Sequence, residues 1–396
     1  MAKKNNDSSK DLLKHLKGFC SQGADFKSPG NIPTGHFSLD FAIQYGMDPT
    51  RVDLNSLQGY DPNNNLGLPL GKLVEIYGEE GGGKSSLAYR VAGYAQKMGH
   101  LVAWIDTEHS FSPNLASING CDKDLLLYSN LVNEENPDKD FYGEDVIDNI
   151  CKMCEGGVGV VVLDSVANLV PKALMEANAE QQFMGLLARM LSENVKKLVG
   201  YAAKYGTLLV FINQLRENLR ITWGDPETSP GGHSLKHNAS VRLKVSKKNS
   251  KDANIMIQDE ETGDEKLIGR HANIRIIKNR VAKPYFASIQ VPIYYESYFP
   301  EIEEIAFDTG RQVRLITVMK GIFKWNDIRI EGKTNFISHI LKNNLIDDLI
   351  NDVKEKSLEK NVILPPELMQ YKGSKNGVAK KISRGRPKKD STDSKE

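Results

Sequence analysis

Apolar, β-branched runs recur along the first half of the chain at Leu73 to Tyr77, Leu101 to Ile105, Val158 to Leu163 and Thr207 to Ile212, with helix-length segments between them. Buried parallel strands read as continuous apolar runs, so this alternation predicts an α/β fold: a mostly parallel sheet covered by helices on both faces. After Gly232 the pattern shortens to Val241-Arg-Leu-Lys-Val245, Ile274-Arg-Ile-Ile277 and Ile289-Gln-Val-Pro-Ile293. These are expected to be antiparallel edge strands of the same sheet, with the polar stretch Ser246 to Glu265 as a long hairpin loop. Helical spacing returns at Phe336-Ile-Ser-His-Ile-Leu and Leu345-Ile-Asp-Asp-Leu-Ile, predicting a small separate C-terminal domain. A short helix is expected over Asp11 to Phe19, ahead of a Gly/Pro/Ser-rich linker from Ser21 to Pro33. The Asp/Asn/Pro/Gly-rich segment Met47 to Leu66 reads as a surface insertion.

Composition narrows the class. The chain has 396 residues, 40% hydrophobic and 26% charged, and 52 Lys+Arg against 51 Asp+Glu leave a net charge of +1. That is the make-up of a soluble globular protein with room for one large domain and a small one, and it argues against coating nucleic acid by bulk basicity. No apolar run approaches the roughly 20 residues needed to cross a bilayer. Met1 to Lys10 is Lys/Asn/Ser-rich with no apolar stretch of leader type behind it, so the expected address is cytoplasmic. Four Cys are too sparse for a disulfide framework, and the lone Cys151-Lys-Met-Cys154 on a predicted helix reads as packing. Charge is nonetheless uneven: Lys372 to Glu396 holds nine Lys or Arg against three Asp or Glu, with almost nothing apolar, and is expected to be disordered on its own.

The string Gly78-Glu79-Glu80-Gly81-Gly82-Gly83-Lys84-Ser85 fits G-x-x-x-x-G-K-[ST], directly after the predicted strand Leu73 to Tyr77 and at the start of a helix that continues with Ser86. Phosphates need backbone N–H donors that approach closely, hence the glycines, and they gain from the positive end of the following helix. Lys84 is expected to reach the β- and γ-phosphates of a nucleoside triphosphate and the Ser85 hydroxyl to hold Mg²⁺. A carboxylate at the end of a neighbouring strand suits a second Mg²⁺ anchor, and Asp164 follows Val160-Val-Val-Leu163. Hydrolysis also needs a group that orients or deprotonates water, and Trp104-Ile-Asp-Thr-Glu108 ends another strand with Glu108. By position alone Glu108 serves equally as a solvated loop carboxylate. Asn213-Gln214, closing the fourth strand, suits either a γ-phosphate sensor or an ordinary turn.

Taken in order, Gly67-Leu-Pro-Leu-Gly-Lys-Leu-Val-Glu-Ile-Tyr-Gly78, Ile105-Asp-Thr-Glu-His109, Leu163-Asp-Ser-Val-Ala167, Met184-Gly-Leu-Leu-Ala-Arg-Met190, Phe211-Ile-Asn-Gln-Leu-Arg216 and Asp225-Pro-Glu-Thr-Ser-Pro-Gly-Gly232 resemble the bacterial RecA recombinase family from about Asn31 into the C-terminal domain. The resemblance implies a P-loop ATPase core with a short N-terminal helix region and a small α+β C-terminal domain. It divides the chain into 1–33 for subunit contact, 34–296 as the ATPase core with DNA-binding loops, 297–365 as the C-terminal domain and 366–396 as a basic tail. It also implies an ATP- and Mg²⁺-dependent filament on single-stranded DNA that pairs and exchanges strands with a homologous duplex in DNA repair and the SOS response. Further copies of the chain are then its partners, and repressor or mediator proteins are further candidates.

Carried over by position, Glu108 resembles the family's general base and Gln214 its γ-phosphate switch. Lys278 and Arg280 resemble the basic pair that an adjacent subunit places on the triphosphate, a way of making hydrolysis depend on assembly. Two segments, Glu176 to Gly185 and Leu215 to Gly231, resemble the family's DNA-binding loops. The second carries Arg216, Arg220 and Trp223, which pair phosphates and present apolar surface to unstacked bases, and ends at Gly231-Gly232. Met184 and Leu219 lie where the family inserts apolar wedges, and Arg189 and Lys196 are expected to add phosphate contacts.

Several positions depart from the family. Ser112-Pro-Asn-Leu115 lacks the carboxylate and aromatic of the adenine pocket, Glu79 replaces a usual Pro, and His237 stands where an interfacial aromatic is common. In place of an acidic tail, Arg384-Gly-Arg386-Pro387 resembles an AT-hook, suited to the narrow minor groove of A/T-rich duplex, and equally reads as a generic basic tail. The competing readings are a helicase motor or regulatory oligomer of the same fold, which would lack the long loop Leu215 to Gly231, and a DNA-binding scaffold with weak hydrolysis.

Overall fold

The structure, a computed structural model, describes residues 28–47, 66–132, 141–176, 183–217, 227–228, 230–248, 250, 253–258, 265–283, 285, 288–295, 302–360 and 368. The expected helix at Asp11 to Phe19, nearly all of the Met47 to Leu66 insertion and all of the basic tail except Leu368 lie outside the described residues. Two compact units are present, Met1–Val52 with Gly59–Phe299, and Asp53–Gln58 with Pro300–Glu396.

In chain order the first unit contains β1 (Asn31–Ile32), α1 (Phe37–Tyr45), β2 (Leu68–Pro69), β3 (Leu73–Gly78), α2 (Lys84–Lys97), β4 (Val102–Asp106), α3 (Pro113–Ile118), β5 (Leu126–Ser129), α4 (Gly143–Glu155), β6 (Val160–Asp164), α5 (Phe183–Tyr205), β7 (Leu208–Gln214), β8 (Arg216–Glu217), β9 (Glu227–Thr228), α6 (Gly232–Asn238), β10 (Val241–Lys247), β11 (Asn254–Gln258), β12 (Glu265–Asn279) and β13 (Ser288–Tyr294). Nine strands form one sheet in the order β11-β12-β10-β3-β7-β6-β4-β5, with β13 also paired to β12.

The parallel part runs from β10 to β5, and its central strands β3, β7, β6 and β4 are buried on both faces. Val74, Ile76, Val102, Trp104, Val160, Val162, Val210 and Ile212 pack toward Leu87, Ala88, Val91 and Ala92 of α2. Their alternate neighbours Leu73, Ala103, Ile105, Val161, Leu163, Leu209 and Phe211 pack toward Val146, Ile147 and Ile150 of α4 and Leu187, Leu191, Val195 and Leu198 of α5. This two-sided burial is the physical origin of the continuous apolar runs. At ~1.5–3 kcal/mol for each large aliphatic side chain it supplies most of the unit's drive to fold.

Three expectations need correction. The stretch Val241 to Val245 was expected as an antiparallel edge strand, yet β10 runs parallel to β3, with Val241 opposite Val74 and Val245 opposite Gly78. Ser246 to Glu265 is not one loop, because Asn254–Gln258 forms β11 and pairs antiparallel with β12. The run at Ile274 is the second half of a 15-residue strand whose first half carries β11, while both halves contribute to pairing with β13. Long strands with polar residues on one face give too weak an apolar signal to mark their true ends. The short strand β5, half exposed, was not legible either.

The second unit contains α7 (Ile302–Gln312), a three-stranded antiparallel sheet of β14 (Thr317–Met319), β15 (Ile322–Trp325) and β16 (Ile328–Glu331), then α8 (Lys333–Lys342) and α9 (Ile346–Lys360). Phe307, Ile316, Trp325, Phe336, Ile340, Leu349, Ile350 and Val353 form its own buried core. Among the described residues no helix is long and apolar enough to cross a membrane.

Candidate active site

Register across the parallel strands lines up their carboxyl ends. Gly78 stands opposite Gln214, Asp164 opposite Ile212, and Asp106 opposite Asp164. Ligands of open α/β sheets bind outside these ends. The loop from Gly78 to Gly83 leaves β3 there and Gly83, in the left-handed region at φ 101°, starts α2. Gly78 is required for a reason unrelated to phosphate: a Cβ on it would stand 1.8 Å from the Val245 carbonyl oxygen of β10. Glu79, Glu80 and Gly81 are exposed, Gly82 is buried, and Ser86 is buried in the first turn of α2.

The Lys84 ammonium donates to the Gly78 carbonyl at 3.2 Å and the Glu79 carbonyl at 2.7 Å, lying across the loop. Burial pulls its pKa below the ordinary lysine range, against the opposing pull of Asp164, Glu108, Glu80 and Glu79. Ser85 Oγ donates to Asp164 Oδ2 at 2.9 Å. Burial pushes the Asp164 carboxyl up to about 6, with Glu108 and Asp106 adding to the rise and the Ser85 hydrogen bond and Lys84 opposing it. A hydroxyl beside a buried carboxylate that is costly to ionise alone is a hard-oxygen pair that fits Mg²⁺, which binds proteins through one or two such groups and takes its other ligands from phosphate and water.

Glu108 lies two residues past β4. Its Oε1 accepts from the Gln214 side-chain amide at 2.8 Å and from Ser165 Oγ in a short hydrogen bond. Thr107 fastens this turn to the next strand: its N–H donates to the Asp164 carbonyl at 2.7 Å, its hydroxyl donates to the Ser165 carbonyl at 2.7 Å, and it accepts from the Ser165 N–H at 2.8 Å. Lys84, Ser85, Asp164, Glu108 and Gln214 therefore converge on one edge, as the sequence positions imply.

Asn213, fully buried, links this edge to the segment that follows. Its side-chain amide donates to Glu75 Oε1 at 3.0 Å and to the Pro230 carbonyl at 2.9 Å, and its oxygen accepts from the Gln214 N–H at 3.0 Å. Glu75, with no exposure, is neutralised by Arg242, whose guanidinium also lies 4.5 Å above the Tyr77 ring. Sequence reasoning missed Glu75 and Arg242, although a Glu inside an otherwise apolar buried strand was an available signal. Asp106, Thr107 and Ser165 were missed too, with no spacing to mark them.

The remaining expected residues fall in three places. Lys278 and Arg280 are away from the phosphate loop: Lys278 pairs with Arg242 on β10, which pairs with Glu75 on β3. Ile274, four residues from Lys278, is the β12 residue level with Val245 and Gly78. A bulge in β12 takes up one of those four residues, since Arg242 and Glu75, level with Lys278, stand three residues from Val245 and Gly78; at ~3.3 Å per residue the separation is about 10 Å along the strands, in addition to two strand spacings across. Lys278 Nζ instead donates to the Lys236 and His237 carbonyls at the end of α6, both at 2.7 Å. Burial, then Arg280 and Arg242, lower its pKa. Arg189 and Lys196 are exposed on α5, Arg189 paired with Glu193 at 3.1 Å. Met184 and Arg216 are placed by their backbones on α5 and β8.

Gly231 and Gly232 are held against α5, where a Cβ on either would meet Leu191 or Ala188 within 3 Å. Leu219, Arg220, Trp223, Arg384 and Arg386 lie outside the described residues. Ser112 caps α3 by accepting from the Leu115 N–H at 3.2 Å. Cys151 and Cys154 are buried on α4 among apolar side chains, and burial raises both thiols.

The family model of the RecA N-terminal domain matches residues 60–299. The chain is 35% identical over 307 residues to Protein RecA of Symbiobacterium thermophilum, covering 77% of this chain and 76% of that protein. It is 33% identical over 354 residues to Protein RecA of Clostridium beijerinckii, covering 88% and 86%. The corresponding figures for Protein RecA of Thermus thermophilus are 31% over 331 residues, covering 83% and 85%.

Proposed function

Because the chain belongs to the RecA family, we propose that it is a recombination and repair protein that hydrolyses ATP, assembles as a filament on single-stranded DNA and exchanges strands with a homologous duplex. The observation that carries this reading is the chain of contacts from Glu108 through Gln214 and Asn213 to Pro230, which joins the hydrolytic edge to both ends of the Leu215 to Gly231 loop. A helicase motor or regulatory oligomer needs no such loop.

Lys84 neutralises charge on the β- and γ-phosphates, and the loop N–H groups and the start of α2 orient them. Ser85 and Asp164 would hold Mg²⁺, which when bound supplies positive charge to the phosphate oxygens. Glu108 orients water and accepts its proton, at a strand end where the turn is fixed by Thr107. Gln214 gives one of its two side-chain N–H donors to Glu108, which leaves the second for a γ-phosphate oxygen, and its backbone runs directly into Leu215 and Arg216. Lys278 and Arg280 are too far from their own phosphate loop to serve it, which favours action on the triphosphate of a neighbouring copy. Single-stranded DNA is held by Arg216, Arg220 and Trp223 with Arg189 and Lys196, with Met184 and Leu219 as wedges, and Arg384 and Arg386 add affinity for duplex.

The test is ATP hydrolysis with and without single-stranded DNA, together with strand exchange between that strand and homologous or unrelated duplex. DNA-stimulated hydrolysis and exchange restricted to homologous duplex are expected. Hydrolysis indifferent to DNA, or unwinding without exchange, would overturn the reading.

A further inference from the structure

Asp106, the last residue of β4, is 1% exposed, and each carboxylate oxygen takes two hydrogen bonds. Oδ1 accepts from the Glu108 N–H at 3.1 Å and the Ser110 N–H at 3.2 Å. Oδ2 accepts from the Phe111 N–H at 2.8 Å and the Tyr128 hydroxyl at 3.2 Å. An ionised carboxylate has about four lone-pair sites, so its acceptor capacity is filled. Three of the four donors belong to the turn that carries Glu108, and that turn includes His109 in the left-handed region at φ 53°. The fourth comes from a different strand.

We propose that Asp106 and Tyr128 are positioning residues for Glu108, a role that rests on Glu108 being the base of ATP hydrolysis. Thr107 ties the turn to β6 on one side, and Tyr128 ties its organising carboxylate to β5 on the other. Trp104 stands opposite Tyr128 in the parallel pairing of β4 and β5. Asp106 is two residues further along β4 and shares that face, so the phenol extends forward to reach it. The Tyr128 ring is steadied by Phe111, 4.8 Å away between centroids, itself the last residue of the turn. The phenol therefore holds both the carboxylate at the start of the turn and the aromatic at its end.

Tyr128 is 45% exposed, so without its hydroxyl the fourth lone pair of Asp106 would turn to water. The carboxylate would then be held by the turn's three N–H groups alone, with no tie to β5, and the Glu108 N–H and its side chain would sample a wider range of orientations. A base contributes in proportion to the time it spends aligned with the proton it removes. Loss of the phenol hydroxyl should therefore appear in turnover and not in nucleotide binding, because Lys84 and Ser85 open α2 and bond to Gly78, Glu79 and Asp164, not to this turn.

The experiment compares the full chain, Tyr128→Phe, Glu108→Gln and the double variant in ATP hydrolysis on single-stranded DNA, with half-saturating ATP and melting temperature measured alongside. Tyr128→Phe should lower kcat about tenfold, the scale of one hydrogen bond to a charged group, with half-saturating ATP and melting temperature unchanged. In the Glu108→Gln background the residual turnover should not fall further on adding Tyr128→Phe, since the phenol acts through Glu108. Asp106→Asn should lower kcat by more than Tyr128→Phe. The same fold-loss from Tyr128→Phe in both backgrounds, an unchanged kcat in the single variant, or a parallel fall in melting temperature would overturn the proposal. Should Glu108→Gln itself leave hydrolysis intact, the assignment of the base fails; if Glu108→Gln cripples turnover and Tyr128→Phe does not, this inference alone fails.

Discussion

The side-chain amide of Gln214 reaches Glu108 across 2.8 Å, joining the last residue of β7 to the turn after β4 over the one strand, β6, that lies between them. A neutral amide that bonds Glu108 and stands directly before Leu215 couples the turn after β4 to the segment that follows β7.

Gln214→Ala is expected to retain ATP binding while losing DNA stimulation, bringing hydrolysis with DNA close to the rate without it. Nucleotide titration and steady-state hydrolysis on the same preparation measure both quantities. Undiminished stimulation would show that the contact with Glu108 is incidental.

Lys84→Ala should abolish nucleotide-dependent assembly, because it removes the ammonium that lies across the loop backbone on the Gly78 and Glu79 carbonyls. Lys278→Ala should instead leave nucleotide binding nearly intact and reduce turnover. Mixed with Lys84→Ala protein, it should recover some hydrolysis at interfaces where an intact loop meets an intact Lys278. Absence of recovery at every ratio, with co-assembly verified by light scattering, would refute action between copies.

Arg242→Met should lower stability by about 3–5 kcal/mol, the usual cost of leaving a buried carboxylate uncompensated, since Glu75 has no exposure. Pairing it with Glu75→Leu should recover much of that loss, while still removing the Asn213 contact to Glu75. Urea unfolding of the three variants measures the first effect. Loss of DNA stimulation in the stable double variant would trace the second.

Asp40 gives a pH dependence of defined sign. Burial raises its carboxyl from 3.8 to about 8, despite the hydrogen bonds from Thr34. Between those values the folded chain holds a proton that the unfolded chain has released, so stability falls as pH rises and levels off above about 8. His36 acts in the opposite sense: burial and then Arg90 lower its pKa, so its contribution is present above 6.5 and is lost as pH falls below. The interval from pH 7 to 8 therefore isolates Asp40. Asp40→Asn should show a shallower decline of melting temperature over that interval than the parent chain, and equal slopes would exclude the assignment.

The parallel strands and the residues at their carboxyl ends were legible in the sequence, because a strand buried on both faces must be apolar throughout and its last polar residue marks where it emerges. Asp164, Glu108 and Gln214 were found on that principle and Gly78 to Ser85 from its glycine-rich motif, and the register of β3, β7, β6 and β4 sets their strand ends side by side. What local pattern does not carry is the partner of a strand. Whether β10 runs parallel to β3, whether Asn254–Gln258 joins β12, and that Lys278 stands about 10 Å along the strands from its own phosphate loop depend on pairings between segments distant in the chain. The same holds for Gly78, whose glycine is dictated by a carbonyl of β10, and for the bonds of Glu75 with Arg242 and of Asp106 with Tyr128. A hydrophobic period reports which face of an element is buried; which residue it is buried against is settled only when the chain has closed on itself.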